Sequence, residues 1–375
     1  MNRRAPLLPL VLAALRPRAG RAILSAAGVG AAALLILVLL GARRSLETGV
    51  RAVAGAPQIE FWIAPHGTDN LIRSSGRLPD DAAEIAGAVP GVLKADPVTR
   101  AFVTLEAGPA GSPRRRTLLA LGVRGPHGLG GPPRLVSGRR PAGPDEVALD
   151  RAAAYALGAG LGDSLRVGDR TVRLTGLTRD TNLLATQFLF FDTTPEEGLL
   201  PVSFVAVRLV PGADVRSVAR ELATRLPFAD VFTRDEFVDA SLREVTSGFR
   251  PLLVLVSSLG LAVAAILVAL LLQGLVEERR ADVAVLLAMG ASRHILAGAV
   301  VLHAAVLASC GAAAGSAAAP VLAAILDRFV PTVELAFRLA DAFLVLLLFA
   351  AAGAAGGLGP LTRLLRVEPL EAFRP

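Results

Sequence analysis

The residue types that carry most enzyme chemistry are sparse in this chain, and they do not occur at the spacings that catalysis needs. Lys94 is the only lysine and is followed by Ala95, so no phosphate-binding loop of the pattern G-x-x-x-x-G-K-[ST] can form. The four histidines lack metal-ligand spacing, and adjacent acids such as Asp80 and Asp81 do not face each other as a general acid/base pair must. We therefore predict no catalytic residue, no metal site and no directly bound cofactor.

The single cysteine and the single tryptophan also favour structural roles. Cys310 lies within an apolar run, so we expect a buried, inert thiol. Trp62 stands in a β-rich run, where a core position is expected rather than a substrate contact. No serine has the flanking residues of a nucleophile elbow. An enzyme that acts alone is disfavoured.

Composition is typical of a membrane protein with a large soluble domain. The 375 residues are 53% hydrophobic, only 5% aromatic and 19% charged, with a mean hydropathy of +0.56. The net charge of +7 comes from scattered arginines, and several of them precede the first apolar run. This arrangement indicates membrane topology and no nucleic-acid partner.

Four apolar runs are long enough to cross a bilayer, whose hydrocarbon core of about 30 Å needs about 20 helical residues. The predicted spans are residues 22–41, 251–276, 295–326 and 342–362. The first is interpreted as an uncleaved anchor, because it is long for a signal peptide and Gly41–Arg44 is a poor cleavage site. Small residues in the last span suit close helix packing in lipid, namely Gly353, Gly356 and Gly357.

The spans and the arginines together predict the topology. Four spans place both termini on one side, and the basic N-terminus, residues 1–21, makes that side cytoplasmic. Residues 277–294 and the tail 363–375 are then cytoplasmic, whereas the loop 327–341 and the long region 42–250 lie outside. The predicted fold is an α-helical bundle of four transmembrane helices with a large α+β extracytoplasmic domain inserted between helices 1 and 2.

Region 42–250 is interpreted as α+β because helical and strand patterns alternate along it. The predicted strands are Gln58–Ala64, Ala101–Ala107, Thr117–Arg124, Glu146–Leu149, Val202–Val210 and Asp230–Thr233, with a hairpin of Asp163–Val167 and Arg170–Leu177. The predicted helices are Pro79–Val89, Arg151–Leu157, Asp214–Leu226 and Asp235–Thr246. The segment Gly125–Pro133, rich in glycine and proline, is expected to be a loop.

The most informative stretch is Glu277–Ser292, EERRADVAVLLAMGAS, a short polar and amphipathic segment between two apolar runs. Gly290 suits the end of a helix, and Ser292 suits the cap of the next one. An apolar stripe at three-and-four spacing lies opposite the charged residues and comprises Val283, Leu286, Leu287 and Met289. The pattern predicts a short amphipathic helix that is presented to a partner or lies in lipid headgroups.

The run Val285–Ser292 resembles the segment before the third membrane helix of FtsX-like (MacB-type) ABC transporter permeases. In that family the segment forms a coupling helix that docks on a cytoplasmic ATPase. Asp282 stands where the family usually has Glu, Met289 where it usually has Leu, and Leu287 where a polar or basic residue is common. The resemblance implies an ATPase-coupling role for Asp282, Val283, Leu286, Met289, Gly290, Ala291 and Ser292.

Two further regions resemble the same family. The closing run Pro369–Arg374, PLEAFR, is similar to the family's P-x-E-A-L-R. The other region resembles a series of four short patterns that the family shows in the order G-R, E-V-x-L, L-G-x-x-x-G-D and V-x-G-I. In this chain the corresponding residues are Leu135–Arg140, Asp145–Asp150, Leu157-Gly158 with Gly162-Asp163, and Leu174–Leu177. The three separated motifs and the layout of four spans together cover most of the chain.

The resemblance implies a non-catalytic permease subunit in the cell membrane, in contact with lipid and driven by ATP through a separate cytoplasmic ABC ATPase. It implies a dimer of identical or paired chains that moves a hydrophobic or lipid-linked substrate, with room for an extracytoplasmic partner. Two alternatives remain open. One is a signalling subunit that regulates a cell-wall hydrolase, and the other is a membrane-anchored binding protein without an ATPase.

Overall fold

The computed structural model describes residues 19–72, 76–109, 112–183, 186–194, 200–278, 285, 292–330 and 334–358. The chain divides into two compact units. The bundle unit comprises the residues up to Gly41, Arg250–Ala324 and the residues from Ala336 onward. The sheet unit comprises Ala42–Phe249 together with Ile325–Leu335.

Helices and strands follow one another along the chain in a mixed order. The helices are α1 (Ala19–Ala54), α2 (Ala82–Gly87), α3 (Arg151–Leu157), α4 (Val215–Arg225), α5 (Arg234–Thr246), α6 (Phe249–Glu278), α7 (Arg293–Phe329) and α8 (Leu339–Gly356). The first seven strands are β1 (Phe61–Pro65), β2 (Val92–Ala107), β3 (Arg114–Val123), β4 (Leu135–Gly138), β5 (Glu146–Asp150), β6 (Ser164–Val167) and β7 (Arg170–Thr178). The remaining strands are β8 (Asn182–Leu183), β9 (Thr186–Asp192), β10 (Phe204–Leu209) and β11 (Ala229–Thr233).

In the described part of the chain, α1, α6, α7 and α8 are long and apolar enough to cross a membrane. α1 has 36 residues, which corresponds to about 54 Å of helix. It therefore continues beyond the predicted span, through Arg43 and Arg51, to Ala54. The Nε atom of Arg43 lies 2.9 Å from the carboxylate of Glu47, one helical turn on. An apolar window marks the part of a helix that fits in lipid, and the backbone helix extends past it.

The core of the bundle unit is built from small and aliphatic side chains of all four long helices. On α6 the buried residues recur at a spacing of four and lie on one stripe, namely Ala264, Val268, Leu272 and Val276. They belong to the same buried cluster as Val29 of α1, Val300 of α7 and Phe349 of α8. Cys310 is exposed on the surface of α7, so the expectation of a buried thiol is wrong.

The sheet unit contains a ring of strands. The main sheet has the order β11-β1-β10-β2-β3-β9-β5-β7-β4, and β6 pairs with both β2 and β7. Among the described residues, the pairings β2-β3, β3-β9, β9-β5, β5-β7, β7-β6 and β6-β2 therefore close on themselves. Closure removes free strand edges from this part of the sheet.

Alternate residues of the ring strands face two different cores. Residues such as Leu105, Leu149 and Leu174 face the interior of the ring, together with the apolar face of α3. Leu119 and Phe190 face the opposite side and join a cluster that contains Trp62.

Trp62 is fully buried, which confirms the predicted core position. Its ring stacks on Phe237 with centroids 5.1 Å apart, and its indole nitrogen donates a 2.8 Å hydrogen bond to the carbonyl oxygen of Ala54. The predicted hairpin is also confirmed, since β6 and β7 pair antiparallel.

Candidate functional site

The predicted coupling segment joins the end of α6 to the start of α7. Asp282, Val283, Leu286, Met289, Gly290 and Ala291 lie outside the described residues. Within this segment the structure describes Val285, which is helical and 47% exposed. It also describes Ser292, so the contacts that can be stated are those of Ser292 and of the helix ends on either side.

Ser292 caps α7 as its sequence position predicts. Its Oγ atom accepts a 3.3 Å hydrogen bond from the backbone N–H of Ile295, and its carbonyl oxygen accepts one of 3.0 Å from the same group. The hydroxyl thus serves one of the N–H groups that the first turn of a helix leaves without an internal partner. The start of α7 is fixed at this residue.

The end of α6 is tied to the start of α1 by an ion pair. The guanidinium of Arg21 contacts the carboxylate of Glu278, the last residue of α6. Their side chains are 59% and 34% exposed, and exposed pairs of this kind contribute about 0–1 kcal/mol. The pair places the N-terminal end of α1 beside the C-terminal end of α6.

Both helices that flank the segment are packed into the bundle core close to their ends. Val276 of α6 and Leu296 of α7 are buried in one cluster. Val276 precedes Arg279 by three residues, and Leu296 follows Ser292 by four. Because packed helices move as rigid elements, a force applied between residues 279 and 291 acts on both of them.

Glycines allow the bundle helices to approach closely. A Cβ atom added at Gly353 of α8 would lie 2.7 Å from the carbonyl oxygen of Ala304 on α7. One added at Gly356 would lie 2.4 Å from the carbonyl oxygen of Ala265 on α6. The predicted packing role of these residues is confirmed.

A second glycine contact, between α1 and α7, was not predicted. A Cβ atom at Gly315 would lie 2.3 Å from the carbonyl oxygen of Gly30, and one at Gly30 would lie 2.9 Å from that of Gly311. The signal in the sequence is the spacing of Gly311 and Gly315, which is the G-x-x-x-G pattern of helix pairs in lipid.

The sheet unit contains a partly buried cluster of acidic and basic side chains that sequence analysis missed. Arg151, the first residue of α3, contacts the carboxylate of Asp327 and lies 3.7 Å from that of Glu334. Asp327 lies in the last turn of α7 and Glu334 in the connection between α7 and α8, whereas Arg151 begins a helix that follows strand β5. The ion pairs thus hold that connection against the sheet unit.

Burial controls the protonation of two carboxyl groups in this cluster. The pKa of Glu334 is raised to about 7, mainly by burial and then by the negative charge of Asp150, while Arg151 opposes the shift. Burial also raises the pKa of Asp150, although its carboxylate accepts hydrogen bonds of 2.8 Å from the Ala152 N–H and 2.7 Å from the Thr181 hydroxyl. Glu334 Oε1 has no hydrogen-bond partner among the described residues.

Comparisons with known proteins agree with the two-unit organisation. The description "FtsX-like permease C-terminal" matches residues 254–369, and "MacB-like periplasmic core domain" matches residues 23–225. An uncharacterized ABC transporter permease of Mycobacterium tuberculosis (strain ATCC 25618 / H37Rv) is 30% identical over 376 residues, covering 97% of this chain and 99% of the relative. One of Mycobacterium bovis (strain ATCC BAA-935 / AF2122/97) is 29% identical, with the same coverage.

Two solved structures of transporter regions are similar to about half of this chain. The periplasmic region of MacB from Actinobacillus actinomycetemcomitans has a TM-score of 0.38 and 14% identity, covering 51% of this chain and 94% of that structure. The extracellular domain of the transporter YknZ from Gram-positive bacteria has a TM-score of 0.35 and 15% identity, covering 46% and 98%. The sequence matches carry the assignment: this membrane protein belongs to the FtsX-like, MacB-type family of ABC transporter permeases.

Proposed function

We propose that this permease is a non-catalytic subunit that is bound at residues 277–294 by separate cytoplasmic ABC ATPase chains. The permease works as a dimer, with both termini in the cytoplasm and region 42–250 outside the membrane, inserted between the first two membrane helices. ATP binding and hydrolysis in the partner move the outer domain, which exports or extracts a hydrophobic or lipid-linked substrate. This chain itself binds no ATP.

One observation supports the proposal above all others. Residues 279–291 connect two helices whose adjoining ends are packed in one buried cluster. A partner that grips this segment therefore acts on α6 and α7 together. An amphipathic helix that merely lay in headgroups would have no need of a packed anchor at both ends.

Two routes carry the displacement toward the sheet unit. α6 is separated from α5 only by Ser247 and Gly248, so motion of α6 reaches the helix that packs Phe237 against Trp62. α7 carries Asp327 in its last turn and leads into the connection that contains Glu334, and both acids lie within 4 Å of Arg151. Coupling requires that the segment bind the ATP-bound and ATP-free states of the partner with different free energies.

Co-purification tests the docking site. The tagged permease is purified in mild detergent together with an ABC ATPase encoded in the same gene cluster, as wild type, as Leu286→Glu and as Val285→Glu. Leu286 lies on the predicted apolar stripe, whereas Val285 is not one of its four residues and is 47% exposed. We expect Leu286→Glu to lower ATPase retention at least tenfold and Val285→Glu to leave it within twofold.

Two outcomes would contradict the proposal. If the wild type retains no ATPase, the membrane-anchored binding protein is the better account. If both substitutions lower retention equally, the stripe is not the contact. Transport is tested separately in vesicles that contain both chains, where substrate movement must depend on ATP. ATP-dependent activation of a cell-wall hydrolase without substrate movement would favour the signalling function.

A further inference from the structure

The closed ring of strands encloses a cavity of about 240 Å³. Every strand of the ring contributes an apolar side chain to its wall. These include Val103 of β2, Ala120 of β3, Val147 of β5, Val167 of β6, Val172 of β7 and Leu189 of β9. The cavity therefore lies within the ring and not between the ring and a neighbouring element.

The two ends of the ring differ. At one end α3 packs Ala153, Ala154 and Leu157 into the ring interior, and none of these residues lines the cavity. The opposite end is lined by the exposed residues Pro144 and Pro201. The cavity is thus closed by a helix at one end and reaches the surface at the other.

Two polar side chains that line the cavity, Thr99 and Asp192, are hydrogen-bonded to backbone groups. The Thr99 hydroxyl donates a 3.0 Å hydrogen bond to the carbonyl oxygen of Pro201. The Asp192 carboxylate accepts hydrogen bonds of 2.8 Å each from the N–H groups of Gly125 and Thr194. A ligand deep in the cavity consequently meets hydrocarbon, and a polar ligand would lose its hydrogen bonds to water without replacement.

The charged side chains that line the cavity are the buried Asp192 and the exposed Arg170. Arg170 lines the cavity at its open end, and its guanidinium lies 3.3 Å from the Asp145 carboxylate, with both side chains exposed. An engineered apolar cavity of about 150 Å³ is known to stay dry and to bind benzene. The larger space in this ring accommodates a short alkyl segment whose polar head remains in water.

We propose that the ring is a binding site for one alkyl chain of an amphiphile, with the chain inside and the head group beside Arg170 and Asp145. Binding of the chain follows from the cavity alone. That the amphiphile is the transported substrate rests on the proposed function. The site gives the outer domain a direct grip on the apolar part of that substrate.

Photolabelling of the full-length permease in lipid nanodiscs, without ATPase, tests the site. The probe is octanoic acid carrying a diazirine on its terminal carbons, and labelled peptides are located by mass spectrometry. We expect labels on the interior residues of β2 and β9, and at least a tenfold loss of them in excess unlabelled octanoate.

Filling the cavity provides the matched comparison. Ala101 lines the cavity, whereas Thr104 on the same strand is exposed and hydrogen-bonds Thr117 across the outer surface. Ala101→Phe is expected to lower ring labelling at least tenfold, and Thr104→Phe to leave it within twofold. An unchanged emission spectrum of Trp62, which lies in a different core, shows that each variant is folded.

Equal ring labelling in wild type and Ala101→Phe would overturn the proposal. Labels confined to the membrane-spanning helices would also overturn it, since they report partition into lipid only. The outcome is independent of ATPase docking, because no ATPase is present. Loss of ring labelling in Ala101→Phe with unchanged ATP-dependent transport would refute the link to the substrate.

Discussion

The charge of Glu334 changes near neutral pH. This residue faces Asp150 and Arg151, with Arg179 and Asp180 also acting on its charge, and burial raises its pKa from 4.5 to about 7. The folded protein therefore holds this proton more tightly than the unfolded chain does. Its contribution to stability is fully present below about pH 4.5 and is lost as the pH rises through 7, by on the order of 1–3 kcal/mol.

The variant Glu334→Gln isolates this effect because it keeps the shape and removes the titration. Unfolding of the sheet unit can be followed by the fluorescence of Trp62, the single tryptophan of the chain. Between pH 5 and pH 7.5 we expect the wild type to lose more stability than the variant, which becomes the more stable of the two at pH 7.5. Hydrogen bonds to Pro227 and Asp230 raise the pKa of His66, so its contribution to protein stability is also lost as the pH rises. This loss is the same in the wild type and in the variant. Parallel pH profiles would show that Glu334 does not titrate in this range.

Single residues were predictable where their chemistry is local. Ser292 was recognised as a cap because a hydroxyl before a helical pattern has one common use, and the structure confirms that bond. Glu334 was not recognised, since its partner Arg151 is more than 180 residues away in the chain and nothing local marks the pair. The ATPase-coupling role of Asp282 and its neighbours remains a prediction from the resemblance.

Among the helices, the contact between α1 and α7 tolerates no side chain at its centre. A Cβ atom at Gly315 would lie 2.3 Å from the Gly30 carbonyl oxygen, whereas one at Gly298, on the same helix, meets no atom within 4 Å. We expect Gly315→Ala to destabilise the bundle by about 1–3 kcal/mol through overpacking. Gly298→Ala should be neutral or stabilise by up to about 1 kcal/mol, because alanine favours helix.

The stability of both variants is measured in the same detergent, as the midpoint temperature at which half of the monodisperse peak in size-exclusion chromatography is lost. The midpoint for Gly315→Ala is expected below that of the wild type, and the midpoint for Gly298→Ala at or above it. If the Gly315→Ala midpoint equals that of the wild type, α1 and α7 accommodate the added methyl group without loss of stability, and the prediction is wrong. The two glycines share a helix, so a general effect of alanine on α7 is controlled.

Element boundaries were predictable where both ends carry a signal. Helix α3 was predicted with its observed bounds because Asp150 caps its start and Gly158, with φ of 68°, ends it. β9 was missed, since TQFLFFD is buried on both faces and shows no alternation. β2 begins at Val92, nine residues before the predicted start at Ala101, and continues through Pro97, a residue type that is depleted in strands.

At the scale of the whole molecule, the fold class was predictable from the sequence, but the closure of the strands into a ring was not. Composition and four apolar runs indicated a membrane protein with a large α+β part, and the family matches agree with both. The ring of strands depends on β6 pairing with β2, which brings Val167 beside Leu105 across the intervening β3, β4 and β5. A single sequence carries no local sign of such pairing, so the cavity inside the ring could not be foreseen.

Membrane topology can be tested with single cysteines because Cys310 is the only cysteine of the 375 residues. In a Cys310→Ala background, Ser164→Cys places a nearly isosteric thiol at an exposed site of β6, and Pro375→Cys places one at the C-terminus. If region 42–250 lies outside and the termini are cytoplasmic, a membrane-impermeant maleimide labels Ser164→Cys in intact cells and Pro375→Cys only after permeabilisation. Inside-out vesicles must give the opposite pattern. Labelling of Pro375→Cys in intact cells would reverse the orientation, place residues 277–294 out of reach of any cytoplasmic ATPase, and so refute the proposed coupling.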